Sequence, residues 1–486
     1  MLHSHSGAAG PGQASLSRHT YGPPAAWTHM PAVGVSVLAD ATQDALTAAF
    51  AARLFTSAPV VVVSAASGAA LRTAEKAATT ACAPLLLGTA HPSAPLLTEL
   101  KSLRPRDVLA VGLSPALLAA RLPGVHVVST AAGLPATATP MPRPGVTVLV
   151  HHGTMDQAAA AVTTTARVAG AVVIAMDGWD PRAYPPAIRA LVKSRPRTVV
   201  AVGRGFGTAS TLAARLTVAE TGIQLPGGGQ VLFPGHRLVA LYGSPGTYGL
   251  GVLGHQDLPD SIARARQVAA DYRPLSKVPV IPTFEIIATV AQAHPGFDGN
   301  YSYVTPISDI LPWVRQANAD GMYVILDLQP GRANLLAQAK LYQSLLEKPD
   351  VGLALDGEWK LQPGQLPLKQ IGSVSVDEVN SVISWLAALT ARRHLPQKVL
   401  VLHQFRLSTL EDERQIDTSH DDLAILIHMD GQGSPGSKQD TWDAVTSAAP
   451  PHVWFGWKNF YTKDHPMISP SATMSETPTP VMISYQ

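Results

Sequence analysis

Short, continuous apolar runs alternate with longer alanine-rich or amphipathic stretches along most of the chain. In the first half such runs cover 60–63, 84–87, 108–111, 146–150, 172–175 and 199–202. A strand that is apolar at every position is buried on both faces, as in a parallel sheet covered by helices. The alanine-rich stretches between the runs supply those helices. Right-handed βαβ crossovers then give parallel three-layer units, an α/β class.

In the second half eight apolar runs begin near Leu238, Val278, Met322, Val351, Val399, Leu423, Val453 and Val481. Helical patterns at 261–272, 308–319, 334–347 and 376–393 separate several of them. Eight strands spaced by helices over about 250 residues match a (β/α)8, TIM-like barrel. An open doubly wound sheet is the alternative.

The first half also repeats itself. Arg104-Pro105-Arg106-Asp107-Val108-Leu109-Ala110-Val111-Gly112 returns as Arg195-Pro196-Arg197-Thr198-Val199-Val200-Ala201-Val202-Gly203. The rhythm of apolar strand, alanine-rich helix, "PLLL" strand, "LTEL" helix and "VLAVG" resembles the cell wall-binding repeat family of Gram-positive surface proteins. The resemblance implies tandem Rossmann-like units that hold an anionic wall polymer. Two copies are present where that family usually has three, and its opening Arg-Tyr motif is missing. An α/β domain kept for packing or dimerisation therefore stays open beside wall binding. The expected organisation is a disordered leader over 1–32, repeats over 33–133 and 145–222, and a barrel over 236–486. A proline-rich stretch (134–144) and Pro226-Gly227-Gly228-Gly229 read as linkers. Gly203-Arg204-Gly205-Phe206-Gly207 lacks dinucleotide spacing and reads as a tight turn.

Composition narrows the partners. Of 486 residues 46% are hydrophobic and only 14% charged, against a usual charged share of about 25%. The net charge of +2, from 36 basic and 34 acidic residues, comes without a basic stripe, so nucleic acid is not an expected partner. The lone Cys82 permits no intrachain disulfide and reads as a small core residue. No apolar span approaches the roughly 20 residues of a transmembrane helix. No secretory signal is visible in the leader, whose His3, His5, His19 and His29 sit among Gly, Ser and Pro. No cofactor is expected, no motif in the barrel suggests a metal, and the oligomeric state has no handle.

The chemistry gathers where the barrel runs end, the end at which such barrels carry their sites. Those ends hold Tyr242, Glu285, Asp327 with Gln329, Asp356-Gly357-Glu358-Trp359, His403-Gln404-Phe405-Arg406, His428 with Asp430 and Gln432, and Trp457-Lys458. Desolvating so many polar groups is costly unless they serve a ligand. Asp356 and Glu358 are two apart at the strand end and so share a face. Neighbouring carboxylates repel, which raises one pKa and leaves a general acid. The expected activity is glycoside hydrolysis, with Glu358 the acid, Asp356 orienting it or steering a substrate N-acetyl group, and Glu285 and Asp327 the further carboxylates. Tyr242, Gln329, Trp359, His403, Gln404, His428, Asp430, Gln432, Trp457 and Lys458 would bind substrate, Trp359, Trp457, Tyr242 and Phe284 as sugar platforms. The D-x-E resembles the end of the D-x-x-D-x-D-x-E of chitinase-type barrels, with Val351 and Ala354 in place of the upstream aspartates. Ester or phosphodiester cleavage by His403 and His428, and glycan binding without turnover, are the alternatives.

The segments "LYGSPGTYGLGVLG", "FEIIATVA", "LDLQPGR", "DGEW", "LVLHQFRL", "HMDGQGS", "WFGWKNFY" and "SYQ" resemble a family of uncharacterised wall-associated or lipoprotein-like bacterial proteins. That implies an extracytoplasmic setting and a wall polysaccharide or other glycan as partner. Without a signal peptide such export needs an N-terminus further upstream, and the cytoplasm stays open.

Overall fold

The computed structural model describes residues 24–135, 137–138, 145–151 and 156–486. His3, His5, His19 and most of the proline-rich linker lie outside them. Two compact units form: one runs to Asp177 and adds Pro196–Thr208, the other comprises Gly178–Arg195 and Ala209–Gln486. Among the described residues no helix is long and apolar enough to cross a membrane.

The first unit holds two four-stranded parallel sheets. One is ordered Leu85–Gly88, Val60–Ala65, Asp107–Val111, His126–Val128. The other is ordered Val172–Met176, Val146–His151, Thr198–Val202, Gly34–Leu38. The strands from the two Arg-Pro-Arg segments occupy the same place in each order. The helix before each strand ends on a left-handed arginine, Arg104 at φ 50° and Arg195 at φ 42°. The fourth place is filled differently. Gly34–Leu38, from the start of the span expected as the first repeat, pairs instead with the second sheet, Gly34 opposite Thr198.

The edge strand Leu85–Gly88 is not left bare. Thr165 Oγ1 accepts from Leu85 N–H at 3.0 Å and donates to Leu85 O at 3.1 Å, while Thr47 Oγ1 accepts from Leu87 N–H at 3.0 Å. Two buried threonines thus satisfy backbone groups that a neighbouring strand would otherwise take. Trp27–Thr28, within the stretch read as a leader, pairs antiparallel with Phe55–Ser57. Cys82, expected in the core, is half-buried at φ 45°, just beyond the helix Gly68–Thr80.

The second unit is a closed barrel of eight parallel strands. They are β1 (Arg237–Gly243), β2 (Val280–Ala291), β3 (Tyr323–Leu328), β4 (Val351–Leu355), β5 (Lys398–Gln404), β6 (Leu423–Met429), β7 (Trp454–Asn459) and β8 (Met482–Tyr485). Closure comes from β1 pairing with both β2 and β8. β2 runs well past Glu285 and ends in a hairpin with Ser302–Val304. Helices over 258–272, 335–341, 376–392 and 435–448 start at Asp257, Asn334, Ser375 and Ser434, whose side chains accept N–H bonds from the first turn.

Side chains alternate across the wall. On β5, Leu400 and Leu402 join the outer core beneath the helices, while Val399 and Val401 join the barrel interior. The interior is apolar at its base, with Leu238, Ala240, Ile281, Tyr323, Ile325, Ala354 and Leu426 packed on Leu225, Leu232 and Phe233. Those last three come from the segment around the expected glycine linker, which is a packed turn. Gly227, Gly228 and Gly229 all have positive φ, Leu225 N–H donates to Gly229 O at 2.8 Å, and a Cβ on Gly227 would press into Ile281 and His236.

Candidate active site

Above the apolar base, the inward positions turn polar on every strand. Tyr242, Glu285, Asp327, His403, His428, Lys458 and Ser484 come from β1, β2, β3, β5, β6, β7 and β8, and Asp356 follows β4. All are buried. His428 faces β7 at Gly456, where a Cβ would collide with its Nδ1; glycine there makes room for the imidazole.

His403 organises the layer. Its Nδ1 lies 2.8 Å from Asp430 Oδ2 and its Nε2 lies 3.0 Å from Glu285 Oε1, with Asp327 Oδ1 at 3.8 Å. Lys458 Nζ donates to Asp430 Oδ2 at 3.2 Å and sits 3.7 Å from the centre of the Tyr242 ring. The Tyr242 hydroxyl donates to Asp327 Oδ2 at 3.0 Å and accepts from Gln329 Nε2 at 3.2 Å. Gln329 is itself fixed by Ala291 N–H at 3.0 Å. His428 Nε2 pairs with Ser484 Oγ at 2.7 Å.

Burial and charge sort these groups into two sets. Burial works against the His403 cation, but Asp430 and Glu285 outweigh it and raise its pKa well above the usual histidine range. Burial likewise opposes ionisation of Glu285 and Asp430, yet His403 and Lys458 hold both carboxyls below their ordinary values. These four groups form a charge-compensated base. The other carboxyls move the opposite way. Burial, with Glu285 nearby, pushes Asp327 up to about 7. Burial, then repulsion from Glu358 and Asp327, raises Asp356 well above the carboxylate range. Burial and Asp430 raise Glu358. Both shifts favour the protonated form, so the Asp356–Glu358 pair holds a proton more readily than ordinary carboxyls do. His428 is pushed down to about 4 by burial and stays neutral.

Several buried oxygens in this layer have no hydrogen-bond partner within the protein: Glu285 Oε2, Asp327 Oδ1, Asp356 Oδ1 and Asp430 Oδ1. Such groups are costly unless a ligand or water completes them. Among the described residues no group of three or more His, Cys, Asp or Glu side chains is arranged to hold a metal ion.

A cleft of about 730 Å³ opens over the layer, within the size of small-molecule sites. Of the residues singled out from the sequence, Tyr242, Gln329, Asp356, Glu358, Trp359, Asp430, Gln432 and Lys458 line it. Glu285, Asp327, His403 and His428 belong to the buried layer but not to that lining. Gln404 and Trp457 are not brought in. Each lies one residue from an inward position, so its side chain faces outward. Gln404 donates to Glu413 Oε2 at 3.0 Å; Trp457 packs on Trp442, with ring centres 5.4 Å apart. Phe284 packs outward on Trp313. Asp356 precedes a 3-10 turn over Gly357–Trp359 and Glu358 lies within it, so the two do not share a strand face, yet both reach the cleft.

Loops bring further residues that the strand pattern did not reveal. Tyr248 stacks on His255, with ring centres 4.2 Å apart and planes at 17°. Phe460, Tyr461 and Ile371 also line the cleft, as does Phe405, already noted at the end of the fifth strand. The signal for Tyr248, Phe460 and Tyr461 was only an aromatic beside glycine or a strand end, as in "PGTYGLG" and "NFY"; Ile371 had none.

No protein-family model matches the chain, and no curated protein matches it. Among solved structures it is similar to Cwp6 from Clostridium difficile at 12% identity and a TM-score of 0.20, over 81% of this chain. The likeness spans 66% of that protein, just under two thirds, and at that score no argument about fold or function rests on it.

Proposed function

We propose that the barrel is a glycoside hydrolase acting on a bacterial wall glycan or another extracellular glycan. The observation that carries this reading is the Asp356–Glu358 pair in the cleft, both carboxyls shifted toward the protonated form, above a layer in which Glu285 and Asp430 are compensated by His403 and Lys458. Glu358 is the more exposed partner and the proton donor. Its proton passes to the glycosidic oxygen as the anomeric C–O bond breaks, and the leaving group departs as an alcohol. Positive charge then builds on the sugar ring. Asp430, held anionic at the cleft wall, is the group to stabilise it, and Asp327, in the buried layer beneath with a pKa of about 7 and no hydrogen bond to its Oδ1, is the group to activate water that reaches it. Water adds its hydroxyl to the anomeric carbon, and its remaining proton restores the acid.

Histidine-dependent ester cleavage is less well supported. Both ring nitrogens of His403 are engaged by carboxylates, which removes it as a free base. His428 contacts Ser484, but its Nδ1 has no orienting carboxylate and the pair is buried. Binding without turnover draws support from the exposed Tyr248 and Tyr461 at the mouth.

For the first unit we propose Rossmann-like repeats associated with the wall, and for the chain an extracytoplasmic setting. The support is the resemblance in the repeated segments and in the barrel motifs. The test of the enzymatic reading is release of reducing ends from peptidoglycan and neutral wall glycans. Wild-type release that disappears in both Glu358→Gln and Asp356→Asn is the expected result; release that persists in both overturns the assignment.

A further inference from the structure

A second hollow, of about 330 Å³, opens beside the main cleft and shares Glu358, Trp359 and Ile371 with it. Its other walls are Leu368, Lys369 and Gln370, from the loop that follows β4. The feet of this loop are pinned. Leu361 N–H donates to Gly331 O at 2.8 Å, and Gly372 N–H donates to Glu358 O at 2.7 Å. Gly372 lies so close to Lys360 O that a Cβ would collide with it. Lys360 Nζ in turn donates to Ala333 O and to Glu378 Oε1, each at 2.8 Å. The tip is different: it presents apolar side chains to solvent, Leu366 at 43% exposure, Leu368 at 77% and Ile371 at 43%. Leu368 is held there at φ 61°, a conformation that leucine rarely adopts.

We propose that this hollow receives the apolar leaving group of a glycoside, an alkyl or aryl aglycone. The proposal rests on the glycoside hydrolase reading and names its substrate class. The division of chemistry across Glu358 supports it. On one side lie the carboxylates, Lys458 and Tyr242, which suit the hydroxyls of a sugar. On the other, Leu368 joins Trp359 and Ile371, which the two hollows share, to offer apolar surface; Gln370 turns its amide to Leu366 O, and Lys369 is the one charged wall residue besides Glu358. A second sugar would find few partners there, whereas an apolar group would cover side chains now left in water. The proton donor stands at the boundary, where the bond between sugar and leaving group must lie. Hydrolysis breaks the anomeric C–O bond, sends the Glu358 proton to the aglycone oxygen and releases an apolar alcohol. Water supplies the sugar hydroxyl and returns the proton.

The test uses the full chain carrying Glu358→Gln, which binds without turning over. n-Alkyl N-acetyl-β-D-glucosaminides from methyl to octyl are titrated below their micelle concentrations, with tryptophan fluorescence as the readout. Affinity is expected to rise with chain length by up to roughly fourfold per methylene. Adding Leu368→Asp and Ile371→Ser should abolish that dependence at an unchanged melting temperature, since both side chains are partly or largely in solvent. Affinity independent of chain length, no binding of any member, or the same dependence in the loop variant overturns the proposal. 1-Alkanols of matching length report the hollow without a sugar. Turnover of the methyl glycoside by the unaltered chain is scored apart, so failure of the hydrolase reading is distinguishable from failure of the apolar subsite.

Discussion

Asp356 sits just after β4 with no hydrogen bond to its Oδ1, and burial shifts its carboxyl toward the protonated form. Its folded pKa lies above the ordinary 3.8, so the folded chain binds a proton that the unfolded chain releases. Stability is therefore lost as pH rises through the window above 3.8. Asp356→Asn removes that loss. It should raise the melting temperature at pH 8 by about 3 °C, and by less at pH 5, while activity disappears. A lower melting temperature at pH 8 would contradict the burial argument. Asp327 sets a second pH dependence. With its pKa near 7, activity should fall below neutrality as it takes up a proton, and fall again at the higher pH where the Asp356–Glu358 pair loses one. Asp327→Asn should flatten the acidic limb of the kcat/KM profile and leave the alkaline limb. An acidic limb unchanged in that variant would assign it elsewhere.

At the scale of elements, the barrel strands were legible because each is an unbroken apolar run ending in polar residues, and all eight begin within two or so residues of their expected starts. The same pattern carried the inward set, since Tyr242, Glu285, Asp327, His403 and Lys458 all continue the inward parity of their strands. Parity applied one residue further would have turned Gln404 and Trp457 outward. Loop residues such as Tyr248 and Tyr461 follow no period, so hydrophobic patterning could not place them. Nor could it show that Gly34–Leu38 pairs with Thr198–Val202, because the partner of a strand is not written in its own sequence. One buried pair holds the loop after β7. Lys438 Nζ meets Asp464 Oδ2 at 2.5 Å and donates to Lys458 O at 2.6 Å, while Asp464 accepts from Phe460 and Gly433 N–H. Lys438→Met leaves the carboxylate buried and unpaired, so urea denaturation should show a loss of about 3 kcal/mol. A loss under about 1 kcal/mol, the range of exposed pairs, would mean that the pair does not anchor this loop.

For the whole molecule, the barrel and its floor act together. Leu225, Leu232 and Phe233 close its apolar base, and Arg182 is buried with bonds to Asp180 and Asp421 at 2.8 and 2.7 Å. A fragment beginning at 236 lacks Arg182, Asp180, Leu225, Leu232 and Phe233, leaves Asp421 without Arg182, and should be markedly more sensitive to trypsin than one beginning at 178. Equal resistance would show that the preceding segments add nothing to the barrel. The central claim is that this barrel hydrolyses glycosidic bonds with Glu358 as its acid. The most direct measurement digests purified wall polymer in heavy-oxygen water and locates the label in the products by mass spectrometry. The expected result is label on the anomeric hydroxyl of new reducing ends from the wild-type chain, with no product from Glu358→Gln. Label on a carboxyl or phosphoryl oxygen, or anomeric label produced equally by the variant, would contradict it.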